Sequence, residues 1–156
     1  EVDTVIRLLH EQTYWARDIP PDAIPGGAPV LERLAKRFKL CIVSDAIVSP
    51  GKYLRRLLED HGLAKPFTGF AFSDEVGHSK PHRSMFDSAA RQLGVEISEM
   101  LHVGDRDHND VKGPQQLGMK AILFTASRDV DKANTTADAI CESFDELEAA
   151  IDQLNG

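Results

Sequence analysis

Short apolar runs alternate with helical patterns along these 156 residues, and that alternation narrows the fold more than any other feature. Leu40-Cys41-Ile42-Val43 is apolar at every position and ends in Ser44-Asp45. Further runs cover about 69–72, 100–103 and 120–124. Helical spacing is predicted over about 29–38, over 50–61 up to Gly62, over 81–93 up to Gly94, over 109–117 up to Gly118, and over 144–154. Pro81 is expected at a first helical position and Pro114 in the first turns of its helix, where a fixed φ is suited and a missing N–H costs little. Val2, Val5, Ile6, Leu9 and Thr13 predict a helix over about 3–18 that stops before Pro20-Pro21, with a linker over 19–28. Alternation with short connections implies an α/β fold: a doubly wound, Rossmann-like parallel sheet covered by helices, with several strand ends converging on one crevice. No internal repeat is found.

The segment 100–110 then becomes the most informative stretch. An apolar run through Val103 leads into Gly104 and three acids, Asp105, Asp107 and Asp110, within six residues. That places negative charge at the carboxyl edge of a sheet, where open α/β folds bind ligands. Carboxylates a few ångströms apart repel by roughly 4 kcal/mol per pair at an effective dielectric near 20, which favours a bound cation. Mg²⁺, a hard ion that takes oxygen ligands and retains waters for phosphate, fits best. The ordinary alternative is a solvated acidic loop.

Two other stretches would reach the same edge. Ser44 follows its strand directly, so its hydroxyl and nearby backbone N–H groups can meet an anion, although a serine there also serves turns and helix caps. Asp45 beside it would serve the turn or the next helix start. In Gly77-His78-Ser79-Lys80-Pro81-His82, Lys80 is either a solvated charge or a compact cation aimed at the acidic loop, where it would neutralise phosphate and carboxylates together. His78, His82, His102 and His108 lack the one-face spacing of a metal site, and His102, inside a strand, reads as a packed core residue.

Composition limits the partners. With 18 basic against 25 acidic residues, no Lys/Arg run and no interleaved aromatics, the chain carries no electrostatic footprint for nucleic acid. No apolar run approaches the roughly 20 residues that cross a bilayer, and no signal-peptide pattern opens the chain, so a cytoplasmic location is expected. Cys41 and Cys141 show no CxxC spacing and read as buried thiols.

In their order along the chain, Ile42-Val43-Ser44-Asp45, Gly77 to Pro81, and Val103-Gly104-Asp105 to Asn109-Asp110 followed by Gly113 and Leu117-Gly118-Met119 resemble the motifs of the haloacid dehalogenase superfamily. The resemblance runs from about Pro25 to Phe124, and its last motif is the most specific. It implies phosphate binding by Ser44 with Asp45 beside it, phosphate stabilisation by Lys80, Mg²⁺ binding by Asp105, and a second acid, Asp110, that orients Lys80 or binds metal through water; Asp107 is a further neighbour. The Gly-Asp-x-x-x-x-Asp pattern looks like the metal-dependent phosphatases rather than the dehalogenases. The implied reaction is phosphate monoester hydrolysis of a small phosphorylated metabolite. In it an aspartate attacks phosphorus, Mg²⁺ and lysine neutralise charge, and water hydrolyses the aspartyl-phosphate.

One motif is missing from this pattern. The family's nucleophile and general acid/base lie in an Asp-x-Asp at the end of a strand upstream of the linker, and here the only early candidate is Asp3-Thr4-Val5. The resemblance puts that strand at the centre of the sheet, between the strands ending at Ser44 and Gly104. Residues 1–20 would then be a helical cap remnant and 21–156 the core domain without its central strand. Three explanations are open: the segment belongs to a longer protein, a second chain donates it, or the flanking strands pair directly in a non-catalytic phosphate- and metal-binding or regulatory relative. A dehalogenase or phosphonatase of the same fold is a further alternative. These 156 residues alone are expected to be inactive, and turnover of p-nitrophenyl phosphate with Mg²⁺ by a homogeneous preparation would refute that. Substrate selection would fall to the cap and to loops such as 127–136, whose polar composition predicts only solvation.

Overall fold

The computed structural model describes residues 23–47 and 49–156, so the predicted helix over 3–18 and the cap assignment for 1–20 lie outside the described residues. In chain order the elements are α1 (Gly27–Ala35), β1 (Leu40–Ser44), α2 (Gly51–Asp60), β2 (Phe67–Phe72), α3 (Ser73–Val76), α4 (Arg83–Leu93), β3 (Leu101–Gly104), α5 (Gly113–Gln116), β4 (Lys120–Phe124), β5 (Ala139–Cys141) and α6 (Phe144–Asn155). Short 3₁₀ turns cover Ile97–Glu99 and Lys132–Asn134, and a wide π-helical turn covers Asp107–Lys112.

All strand pairing is parallel. Ser44 lies opposite Phe72, Gly104 opposite Leu123 and Phe124 opposite Cys141, so the carboxyl ends of paired strands share a side. Among the described residues the strands form two pieces, β1-β2 and β3-β4-β5. Direct pairing of β1 with β3 is therefore not what the structure shows. The same two helical layers nevertheless cover both pieces. On one face, Val30 and Leu34 of α1 and Leu147 of α6 pack with Ile122, Phe124 and Cys141, and both Leu40 of β1 and Leu101 and Val103 of β3 join them. On the other face, Met85 and Phe86 of α4 take Val43 of β1, while Phe86 meets the His102 ring of β3 edge-on at 5.5 Å. Fully burying side chains of this size contributes about 1.5–3 kcal/mol each.

Helix ends follow the predicted glycines. Gly62, Gly94 and Gly118 all have positive φ, a conformation that a Cβ would strain. Three starts differ from prediction. α1 begins at Gly27, inside the predicted linker. α4 begins at Arg83 rather than Pro81, because His82 keeps an extended ψ of 133° and its Nδ1 accepts the Ser84 N–H as a cap. The helix predicted over 109–117 begins at Asp107 as the π turn and becomes α-helical only at Gly113.

The outer edge of β2 is closed by a side chain. Gln92 of α4 donates Nε2–H to Phe70 O at 3.0 Å and accepts Phe70 N–H on Oε1 at 2.9 Å, filling the place a further strand would take. Removing both bonds in Gln92→Ala is expected to cost about 1–2 kcal/mol at the net value of a typical intramolecular hydrogen bond. Urea unfolding measures it, and an unchanged midpoint would contradict this account of the edge.

Candidate active site

The site is built where the carboxyl ends of β1 and β3 meet the loop before α4. Asp45, the first residue after β1, accepts the Lys80 backbone N–H at 2.8 Å on Oδ1 and the Asn109 Nδ2–H at 3.3 Å on Oδ2. One carboxylate thus ties together three stretches that sequence separates by up to 64 positions. Nearby, Ser73 Oγ accepts the Ala46 N–H at 2.7 Å and Asp74 accepts the Gly51 N–H at 3.1 Å, so α3 fixes the loop that carries Ser44 and Asp45. Ser44 itself closes β1, one residue from this junction.

Lys80 is held at its other end as well. Its Nζ donates to Asp110 Oδ1 at 2.6 Å, in a pair whose side chains are only 11% and 3% exposed. The same Oδ1 accepts His102 Nε2–H at 3.0 Å, and Oδ2 accepts the Arg106 backbone N–H at 3.1 Å. A carboxylate only accepts, so His102 carries its proton on Nε2. Burial alone would raise the Asp110 carboxyl, but the His102 hydrogen bond and the Lys80 charge outweigh it and hold the group well below the ordinary carboxylate range. Burial pushes His102 below the ordinary imidazole range, with the Asp110 hydrogen bond opposing, so the ring is neutral.

Two glycines permit these approaches. A Cβ on Gly104 would lie 2.4 Å from Asp110 Cγ, and one on Gly113 would lie 2.4 Å from Pro81 Cβ. The first lets the Asp110 carboxyl lie over the end of β3; the second lets the π turn close onto the Lys80 loop.

The three acids of the loop do different things. Asp107 is buried and structural: Lys112 Nζ reaches Oδ2 at 2.6 Å and Thr135 Oγ1 donates to Oδ1 at 2.6 Å. Asp110 accepts the three hydrogen bonds just described, two on Oδ1 and one on Oδ2. Asp105 is half-buried at the end of β3, and its carboxylate accepts no hydrogen bond from the described residues. Among the described residues no group of three or more His, Cys, Asp or Glu could hold a metal by itself. Magnesium does not require one, since one or two carboxylates, waters and phosphate oxygens suffice. The Asp105 carboxylate, an oxygen donor at the end of β3 that accepts no hydrogen bond from the described residues, fits that role; Asp110, as held here, fits the role of a lysine anchor.

Ser44, Asp45, Lys80, Asp105 and Asp110 therefore gather at one end of the sheet, with Asp45 facing inward to Lys80 and Asn109. Sequence reasoning did not foresee His102 or Asn109 as members. A single imidazole in an otherwise apolar strand was the available signal for His102; Asn109 offered none.

Two measurements check this geometry. Gly104→Ala must displace the Asp110 carboxyl and is expected to cost about 1–3 kcal/mol in urea unfolding, as overpacking does; an unperturbed variant would contradict the close approach. For His102, the unfolded chain protonates near pH 6.5 while the folded chain resists, so the unfolded state binds more protons below that pH and stability falls as pH drops from about 6.5. Asp110, depressed in the folded state, adds stability that is present above about pH 4 and lost as pH falls further. In EDTA, urea midpoints between pH 7 and 5 should fall less steeply in His102→Gln than in the wild-type chain, and equal slopes would count against a buried neutral ring.

Among the described residues no helix is long and apolar enough to cross a membrane. Residues 3–118 match the family model of haloacid dehalogenase-like hydrolases. The chain is 34% identical over 122 residues to the glyceraldehyde 3-phosphate phosphatase of Methanopyrus kandleri, an alignment covering 78% of this chain and 49% of that protein. Among solved structures, an HAD phosphatase from Thermococcus onnurineus superposes with a TM-score of 0.73 at 31% identity, covering 83% of this chain and 58% of that one. A 2-haloacid dehalogenase from Pseudomonas syringae pv. Tomato DC3000 superposes with a TM-score of 0.71 at 30% identity, covering 85% and 54%. The chain spans about half the length of the curated relatives it matches. With the family model spanning most of the sequence, the chain belongs to the haloacid dehalogenase-like hydrolases.

Proposed function

We propose that this chain carries the phosphate- and magnesium-holding part of a Mg²⁺-dependent phosphohydrolase that acts on a small, cytoplasmic phosphate monoester. The observation that carries the reading is Lys80, fixed at its amide by Asp45 and at its ammonium by Asp110, at the same end of the sheet as Asp105, whose carboxylate accepts no hydrogen bond from the described residues. Lys80 Nζ would neutralise charge on the phosphate oxygens, and the Ser44 hydroxyl would donate to another oxygen from the end of β1. Asp105 would hold Mg²⁺, which when bound supplies Lewis-acid charge stabilisation. His102 and Asp110 would keep Lys80 aimed without touching substrate. A nucleophilic aspartate fits at the end of a strand between β1 and β3, whether from the same polypeptide or from a partner.

Phosphatase relatives favour this chemistry over dehalogenation, because the curated relatives at 34% identity are glyceraldehyde 3-phosphate phosphatases. A non-catalytic binding domain would keep the same pocket. Calorimetric titration of the chain with inorganic phosphate and with Mg²⁺ separates these from a scaffold. The wild-type chain should bind both. Lys80→Ala should weaken phosphate about tenfold to a hundredfold, the worth of a charged hydrogen bond, and Asp105→Ala should abolish Mg²⁺ binding. No binding of either ion by the wild-type chain would sink the proposal.

A further inference from the structure

The loop between β4 and β5 is gathered onto the acidic turn by specific side chains. Within 127–136, Arg128, Asp131 and Thr135 are half-buried while the other residues are exposed, Val130 at 72%. The three inward residues converge on Asp105 and Asp107. Arg128 Nη1 donates to the Asp105 carbonyl at 2.9 Å and pairs with the Asp131 carboxylate. Asp131 Oδ2 accepts the Asp107 N–H at 3.1 Å, and Thr135 Oγ1 donates to the Asp107 carboxylate at 2.6 Å. The backbone is thus gripped on both sides of Arg106, at the carbonyl before it and the amide after it, while the Asp105 carboxylate accepts no hydrogen bond from the described residues and lies within reach of the Arg128 charge.

This pair differs from the surface ion pairs within single helices. Arg56–Asp60 and Arg83–Asp87 join neighbouring turns of one helix. Arg128 and Asp131 each spend a second contact on the backbone of a loop more than 20 positions away.

We propose that Arg128 and Asp131 are positioning residues that fix the Asp105 carboxylate for a magnesium–phosphate complex, an inference that rests on the function proposed above. The planar guanidinium serves two acceptors with one charge, the backbone carbonyl and the carboxylate, and Asp131 transmits the same constraint to Asp107. Neither residue touches phosphate, so their loss acts on the metal and spares the anion. A purely structural role would weaken both ligands together.

The test uses the full chain and its Arg128→Gln, Asp131→Ala and Arg128→Lys variants. Metal-free amide exchange reads the Asp107 N–H, and calorimetry reads inorganic phosphate alone and then Mg²⁺ at saturating phosphate. Arg128→Gln and Asp131→Ala should speed exchange at Asp107 by about tenfold, as local opening does. They should weaken Mg²⁺ by about ten- to a hundredfold, the usual effect of removing a group that orients a metal ligand. Phosphate affinity should stay within about twofold, and Arg128→Lys, which keeps the charge, should recover part of the Mg²⁺ affinity. Mg²⁺ affinity within about twofold of wild type in both disrupted variants overturns the inference, as does an equal loss of phosphate and Mg²⁺ affinity. A wild-type chain that binds neither ion overturns the functional reading itself and the inference with it, whereas phosphate binding without Mg²⁺ binding overturns the inference and leaves the anion site standing.

Discussion

The carboxylate of Asp110 is the contact on which the rest of the site depends. Three donors reach it from three directions: the Lys80 ammonium from the loop before α4, the His102 imidazole from β3, and the Arg106 amide from the turn itself. Removing one partner of a buried charged pair typically costs about 3–5 kcal/mol, because the other charge is stranded. Holding Lys80 at both ends also has a kinetic and thermodynamic value for binding. A free lysine gives up about 2 kcal/mol of rotamer freedom when it is fixed, and here that loss is taken during folding rather than on meeting an anion. A point charge that is already aimed binds phosphate better than one that must be collected.

The two pieces of sheet give the site its geometry. β1 and β3 lie between the same helical layers, α1 and α6 on one side and α4 on the other, and each is paired along one edge only among the described residues. A backbone edge shielded from water without partners would cost about 1–3 kcal/mol for each group left unsatisfied, so under the function proposed above a further strand would pair here. A strand running parallel to its neighbours there would end between Ser44 and Asp105, the place where an attacking group would meet a phosphate held by Lys80. The same physical requirement, satisfaction of backbone donors and acceptors, thus bears on both folding and chemistry.

Much of the fold was legible because its longer strands are mostly apolar and several of its helices end at glycines that need positive φ. Leu40 to Ser44 and Lys120 to Phe124 stand out by hydrophobicity alone, and Gly62, Gly94 and Gly118 mark the stops. β5 was not legible: Ala139-Ile140-Cys141 is too short for any periodicity and is a strand only because β4 lies beside it. The π turn was equally hidden, since it depends on Gly104 giving room to Asp110. The loop over 127–136 looks like solvated polar chain because its order comes from contacts with Asp105 and Asp107, and no local pattern records a partner that far away. Ser44, Lys80, Asp105 and Asp110 were expected at the site from the resemblance of their motifs, and the structure brings their stretches to one end of the sheet; His102 was not expected there, since a strand histidine is ordinarily packed rather than bonded to a carboxylate.

Crowding of the acids suggested a bound cation, and the structure changes the reason for one. Lys80 compensates Asp110, Lys112 compensates Asp107, and Arg128 compensates Asp131, so most of the repulsion is already relieved by the protein's own cations. Repulsion therefore does not by itself require a metal. What favours magnesium in the function proposed above is narrower: after these pairings Asp105 alone among the three acids accepts no hydrogen bond on its carboxylate from the described residues, although the Arg128 charge acts on it, and Arg128 holds its backbone carbonyl. Pairing two of the acids inward serves selectivity as well as stability. A loop with three open carboxylates would suit calcium, which takes six to eight oxygens, whereas one such carboxylate at the sheet end that carries Lys80 would suit an ion that keeps its waters and completes its shell with substrate.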